Sequence, residues 1–360
     1  MAALTRDVAR YEDWLRTRCE VVEADLAAKH ERMRRSAFDF LRATCFRWAR
    51  TLPELCPELA PAPRVLCVGD AHVENFGTWR DGDGRHVWGL NDFDEAAVLP
   101  YAHDLVRLAA SARLAPKAGT EPGRAAEALL EGYVDGLGAP RPVLLDQGAP
   151  WFRGLVGALV DETPAFWAAW DASPDAVPPP DARRVLMKAL PPGAVVERFV
   201  ARRRGGGSLG RPRWQAIAHW RGGRVVREAK AVVPSAWDWA SGAVKRLRLL
   251  DAAFGPHRAP DPSLEVVDGW LVRRIAPDSR KLDLKDVAGR GLGVTLLRAM
   301  GAELGALHAA HRRAPRILDD LAGRDPDWLH RAARVAAQAV ERDYADWLQA
   351  GTPSTPSRRA

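Results

Sequence analysis

Two short apolar runs that each end in carboxylates constrain this chain most. "RVLCVGDAHVENFG" spans residues 64–77 and "RHVWGLNDFDEA" spans 85–96. A run of Val, Leu and Cys closed by Gly-Asp reads as a buried strand feeding a tight turn. The second segment repeats that design within about twenty residues. Two strands that deliver acids to neighbouring turns predict one shared site. At 360 residues the chain is long enough for two lobes, each with its own core.

Asp70 and Asn75 form D-x-x-x-x-N. Phosphoryl transfer asks for an Asp that accepts or orients the nucleophile's proton and an Asn five residues on that holds a metal ion. Asp and Asn also populate turns through local hydrogen bonds, so the pattern takes its weight from the second segment. Asp92 ends that strand and is followed by Phe93, as in the metal-binding D-F-G of kinases, and Asp94 adds a carboxylate two residues on. Asn75, Asp92 and Asp94 are therefore the expected magnesium ligands, since magnesium takes a few hard oxygens plus substrate phosphates. His72 is expected to orient the catalytic turn around Asp70, and Asp104 to anchor the following helix beneath it.

Farther along, Gly205, Gly207 and Gly210 fit G-x-G-x-x-G, with Ser208 inside it. The pattern serves two fold classes, and context separates them. The dinucleotide-binding version needs a helix after the glycines. Here "WQAIAHW" alternates, turns at Gly222-Gly223 and returns as "VVREAKA", which is a β-hairpin. A glycine loop on a hairpin covers phosphates with backbone N–H groups. Lys230, near the end of the returning strand, is placed to pair with those phosphates; its competing reading is a surface lysine on an edge strand.

Residues 5–52 read as helix throughout, 102–114 and 122–137 as further helices, and 138–192 as short helices and loops. Residues 195–275 are β-rich, a long helix runs over 290–312 and a last one over about 327–349. The formal charge of +7 is scattered along helices beside Asp and Glu, which argues against a nucleic-acid partner. The four cysteines have no metal-ligand spacing, and no apolar run approaches a membrane span, so a cytoplasmic protein without a membrane partner is expected.

"KHERMRRSAFDFLRA", "VGDAHVENFG", "NDFDEA", "HDLVRLAAS", "GGGSLG" and "AKAVVPS" together resemble the bacterial family called domain of unknown function 2252. That family is grouped with protein-kinase-like and aminoglycoside-phosphotransferase-like folds. The resemblance implies Asp70 as catalytic base, Asn75 and Asp92 as magnesium ligands, and Lys230 as the phosphate lysine, with ATP and Mg²⁺ as cofactors. The implied fold is α+β, two-lobed and protein-kinase-like. The segment order departs from an ordinary kinase, because the catalytic turn precedes the glycine loop. A circular permutation reconciles it: C-lobe segments over 1–192, a β-rich N-lobe over 193–285, closing C-lobe helices over 286–350, and a disordered tail over 351–360.

The expected function is an ATP- and magnesium-dependent phosphotransferase acting on an unidentified small-molecule or protein hydroxyl. The helix expected after Lys230, "WDWASGAVKRLRLLDAAF", holds no Glu to pair with the lysine; Lys245 takes the expected position, leaving Glu228 as a candidate partner. That absence favours a weak or inactive nucleotide-binding or scaffold protein as the alternative. Adenylyl transfer follows if the nucleotide binds reversed. A metallophosphoesterase is the remaining alternative, because Asp70-Ala71-His72 also spells D-x-H.

Overall fold

The protein is described from a computed structural model over residues 3–116, 119–147, 163–202, 206–243, 246–281 and 293–350. Gly205, Lys245 and the tail 351–360 lie outside the described residues. Helices and several small sheets make a mixed α+β architecture, in line with the coarse reading of the sequence.

The opening helical stretch is four helices: α1 (Ala3–Arg16), α2 (Glu23–Met33), α3 (Ala37–Ala43) and α4 (Cys45–Leu55). Ser36, in extended backbone, caps α3 by accepting the Asp39 N–H at 3.0 Å on its Oγ. Thr44, at φ −120°, separates α3 from α4. Such caps redirect the chain while the three-to-four spacing of apolar residues continues, so periodicity alone shows one helix.

The two acidic segments lie where expected, but each gains a strand partner. Strand β1 (Arg64–Cys67) pairs with β4 (Ala97–Pro100). Strand β2 (Phe76–Arg80) pairs with β3 (His86–Leu90), which also carries β5 (Val143–Leu144). Helices α5 (Ala102–Leu114) and α6 (Pro122–Gly138) follow, then α7 (Thr163–Asp171) and α8 (Pro180–Ala189).

The middle of the chain forms an antiparallel five-stranded sheet: β6 (Val195–Val200), β7 (Arg213–Trp220), β8 (Gly223–Ala231), β9 (Glu265–Val267) and β10 (Trp270–Ile275), in the order β6-β7-β8-β10-β9. Alternation divides its residues cleanly. Ala216, Ala218, Ala229, Ala231 and Val272 pack under α8. Val200, Ile217, Val226 and Ile275, on the other face, pack with Trp170 of α7. That second face continues through Arg213, Gln215, Glu228, Lys230 and Arg273.

The single helix expected after Lys230 is instead α9 (Ala236–Ser241) and α10 (Leu249–Ala253). Gly242 ends α9 in the left-handed region at φ 68°, its N–H returning to the Asp238 and Trp239 carbonyls. Helices α11 (Val294–His308), α12 (Ala314–Ala322) and α13 (Trp328–Gln349) close the chain. Leu297, Met300 and Leu304 of α11 and Ala336 of α13 share one core with Leu105, Leu129 and Tyr133, so the end of the chain completes the core begun by its first third.

Candidate active site

Helix α5 builds the turn after β1. Asp104, Arg107 and Ser111 recur at helical spacing and so share one face. Asp104 accepts the N–H of Val68 at 2.6 Å and of Gly69 at 2.9 Å. Ser111 Oγ accepts the Val73 N–H at 3.0 Å. Between them, the Arg107 Nε donates to Asp70 Oδ1 at 2.6 Å. Gly69 is obligatory: its φ is 78°, and a Cβ there would lie 1.9 Å from the Glu95 carbonyl oxygen. The anchoring role expected of Asp104 is what the hydrogen bonds describe, and His308 Nε2 reaches the same carboxylate at 3.2 Å.

Burial pushes Asp70 up to about 6, against the lowering effect of the Arg107 guanidinium. A carboxylate that titrates near neutrality suits a general base. His72 is buried; desolvation, reinforced by Arg42 and Arg107, holds it well below the usual imidazole range, so it is neutral. Its Nδ1 accepts the Glu74 N–H at 3.2 Å, which fixes the ring within the turn.

Asn75 joins the two acidic segments. Its Nδ2 donates to the Asp70 carbonyl at 3.1 Å and the Asp92 carbonyl at 3.0 Å. Its buried Oδ1 has no hydrogen-bond partner among the described residues. The orphaned amide oxygen of Asn75 and the carboxylate of Asp92, on the turn whose carbonyl Asn75 holds, are hard-oxygen donors of the kind magnesium takes. Burial alone would raise Asp92, but Lys281, Lys230 and Arg273 together hold it well below the usual carboxylate range. Lys281 Nζ stands 3.0 Å from Asp92 Oδ2.

Lys230 lies on the third strand in sheet order and is buried, 3% exposed, which removes the surface-lysine reading. Its Nζ is 2.5 Å from Asp94 Oδ2 and 3.9 Å from Asp92 Oδ1. Asp94, expected to share the metal, is thus occupied by Lys230 and, at 3.2 Å, by Arg211. The suggestion that Glu228 pairs with Lys230 is overturned. Glu228 instead takes Arg213 at 3.1 Å, Arg273 at 2.8 Å and Gln215 at 2.9 Å. Glu95, next to Asp94 in the acidic turn, accepts from Arg211 at 2.9 Å and from Ala236 N–H at the start of α9, at 2.5 Å. Lys230 therefore takes its carboxylate partner from the acidic turn and not from the helix that follows it.

Of the described glycines in the loop, Gly207 comes closest to Asp70: a Cβ there would lie 3.9 Å from Asp70 Oδ2. Its carbonyl accepts from the buried Lys29 at 3.2 Å. Ser208 Oγ is held by Arg213 at 3.0 Å, and Gly210 turns at φ 97° against Leu26. A cleft of about 500 Å³ adjoins these parts, with Glu74, Asp92, Ser208, Arg213, Arg273 and Lys281 among its lining residues.

The sequence reading missed Arg107, Lys281 and the Arg213–Glu228–Arg273 cluster. Arg107 left a signal, its spacing three residues after Asp104. Lys281 left none, since it reaches Asp92 across 189 residues.

The fold and the site thus define an α+β protein with a cationic cleft floored by two acidic turns. Residues 18–137, which include both turns and their anchoring helix, match a family described as "Uncharacterized protein conserved in bacteria (DUF2252)". No curated protein and no solved structure matches the chain. No helix among the described residues is long and apolar enough to cross a membrane.

Proposed function

We propose that this protein binds a magnesium nucleotide, ATP, in the cleft and transfers a phosphorus-containing group from it to a hydroxyl, as a kinase-like transferase with permuted segment order. One observation carries the reading. Lys230, from a strand that follows a glycine loop, meets the acidic turn at Asp92 and Asp94, which lies 136 residues earlier in the chain. A glycine loop on the first two strands with a lysine on the third is the arrangement a kinase-like lobe uses to hold phosphates. The C-terminal helices that complete the first core support the permutation.

Asn75 Oδ1 and the Asp92 carboxylate would hold the magnesium, which supplies positive charge to the phosphate oxygens when bound. Lys230 neutralises phosphate charge, and Gly207 closes over the reacting end. Asp70, kept partly protonatable by burial and aimed by Arg107, takes the acceptor's proton. The Lys230–Asp94 pair stands in for the absent helix Glu, which weakens the case for an inactive scaffold. The phosphoesterase alternative receives no support: among the described residues the one three-ligand cluster is Cys67, Asp104 and His308, and Asp104 is already committed to backbone N–H groups.

Thermal unfolding with ATP, MgCl₂ and both together tests this. A ligand bound only by the native state raises its stability with concentration. The expected result is a concentration-dependent rise that is largest with both present. No rise under any condition overturns the proposal.

A further inference from the structure

Helix α2 lies along the glycine loop, and its contacts with the loop recur at helical spacing. The N–H of Val22, the residue that precedes α2, donates to the Gly210 carbonyl at 2.9 Å. Leu26 packs so closely that a Cβ on Gly210 would lie 2.4 Å from its side chain. Lys29 Nζ donates to the Gly207 carbonyl at 3.2 Å. Positions 22, 26 and 29 share one helix face, so a single side of α2 holds the loop from Gly210 back to Gly207. Arg211, which follows the loop, is tied separately to Asp94 and Glu95.

Packing alone does not explain Lys29. It is 3% exposed, forms no ion pair among the described residues, and rests over the rings of Tyr11 and Phe46 at 5.6 and 5.7 Å. Desolvation lowers it to about 8, against the raising effect of Glu12, so the ammonium still prevails at neutral pH. A buried cation without a carboxylate partner costs stability, and an apolar side chain of its size would fold at least as well. What the lysine does to the loop is the better account of it.

A Cβ on Gly207 would lie 3.1 Å from the Arg42 carbonyl and 3.9 Å from Asp70 Oδ2, so the close approach to the catalytic turn calls for glycine. The same lack of a side chain leaves the peptide between Gly207 and Ser208 free to flip. In a trans peptide the carbonyl and the next N–H point in opposite directions. With the Gly207 carbonyl held toward Lys29, the Ser208 N–H points away from α2; Ser208 lines the cleft and Lys29 does not. Among the described residues nothing accepts that N–H. A flipped peptide would put its carbonyl oxygen there instead and repel phosphate. We infer that Lys29 is a positioning residue, locking the Gly207–Ser208 peptide in the orientation that offers the Ser208 N–H to a phosphate of the bound nucleotide. This role rests on the nucleotide-binding reading and adds to it the residue that sets the polarity of the loop.

Calorimetric titration of ATP with MgCl₂, paired with urea unfolding, tests this on the full chain carrying Lys29→Met, Ser208→Pro or both. Lys29→Met keeps the stem and removes the ammonium. Ser208→Pro removes the N–H itself, and Ser208→Ala, which lacks only the hydroxyl, is its reference. Lys29→Met and Ser208→Pro should each weaken ATP at least about tenfold, the worth of one hydrogen bond to an anion. The double variant should be no more than about twofold weaker than Ser208→Pro alone, because the lysine acts through that N–H. Lys29→Met should resist urea as well as wild type or better. A Lys29→Met protein that is less stable than wild type, or does not fold, makes the lysine a packing residue and overturns the assignment. So does an unaltered ATP isotherm in Lys29→Met or in Ser208→Pro, and so do losses that multiply in the double variant. All of these leave the nucleotide reading standing, whereas wild-type protein that binds no ATP overturns both.

Discussion

Lys230 Nζ stands 2.5 Å from Asp94 Oδ2, closing a contact between a central strand of the five-stranded sheet and the acidic turn after β3. Through it, the sheet and the helical part of the chain face each other across one cleft. It also places a cation 3.9 Å from Asp92, a carboxylate that lines the cleft.

Removing that cation should separate binding from folding. Lys230→Met keeps the stem and removes the charge, so ATP affinity is expected to fall by roughly 10- to 100-fold, the worth of a charge-assisted contact to phosphate. Asp94 keeps Arg211 at 3.2 Å in this variant, and in Lys230→Met combined with Asp94→Asn Arg211 keeps Glu95, so both should fold while neither regains affinity. Calorimetric titration and urea unfolding of both variants check this; an unaltered ATP isotherm for Lys230→Met removes the lysine from the site.

Asp92→Asn should abolish the magnesium dependence of nucleotide binding. The substitution keeps the shape of the turn and removes the negative charge that Asp92 brings to the proposed metal site. Titrating ATP at several magnesium concentrations reads the effect directly. Wild-type magnesium dependence in the variant means the metal ligands lie elsewhere.

Asp70 gives a pH-dependent stability with a definite sign. Its folded-state value of about 6 lies above the ordinary value near 3.8, so the folded protein binds the proton more tightly than the unfolded chain. The associated stability is fully present below the unfolded value and is lost as pH rises toward 6, by about 3 kcal/mol for a two-unit shift. Asp70→Asn lacks this loss. The stability of the variant minus that of wild type should therefore climb between pH 4 and pH 7 and then level off. Urea denaturation across that range measures the difference, and a flat curve contradicts the raised value.

Asp104→Ala should destabilise the fold strongly. It strips acceptors from the buried N–H groups of Val68 and Gly69, each costing about 1–3 kcal/mol when left unpaired. Asp104→Asn retains one acceptor oxygen and should cost less. Equilibrium unfolding of the pair ranks them, and equal stability of Asp104→Ala and wild type would show that the turn is held by other contacts.

Local chemistry wrote much of this protein into its sequence. The runs "RVLC" and "HVWGL", the alternation of "WQAIAHW" about the turn at Gly222, and the helical periodicity of 122–138 and 328–349 depend on residues within a few positions of one another, so they are readable in order. Asp70, Asn75 and Asp92 were legible for the same reason: each sits where a strand meets its own turn. What the chain does with its charges was decided by tertiary structure. Glu228 and Lys230 lie two residues apart on one strand, yet one goes to Arg213 and Arg273 and the other to Asp94. Strand register makes that division, since residues of equal parity share a face and the neighbouring strand supplies the partner; a one-residue slip of β8 would turn both toward α8. Arg107 on Asp70, 37 residues apart, and Lys281 on Asp92, 189 apart, are likewise selected by burial and packing. A carboxylate drawn out of water must take whichever cation the fold brings to it, and distance along the chain has no part in that choice.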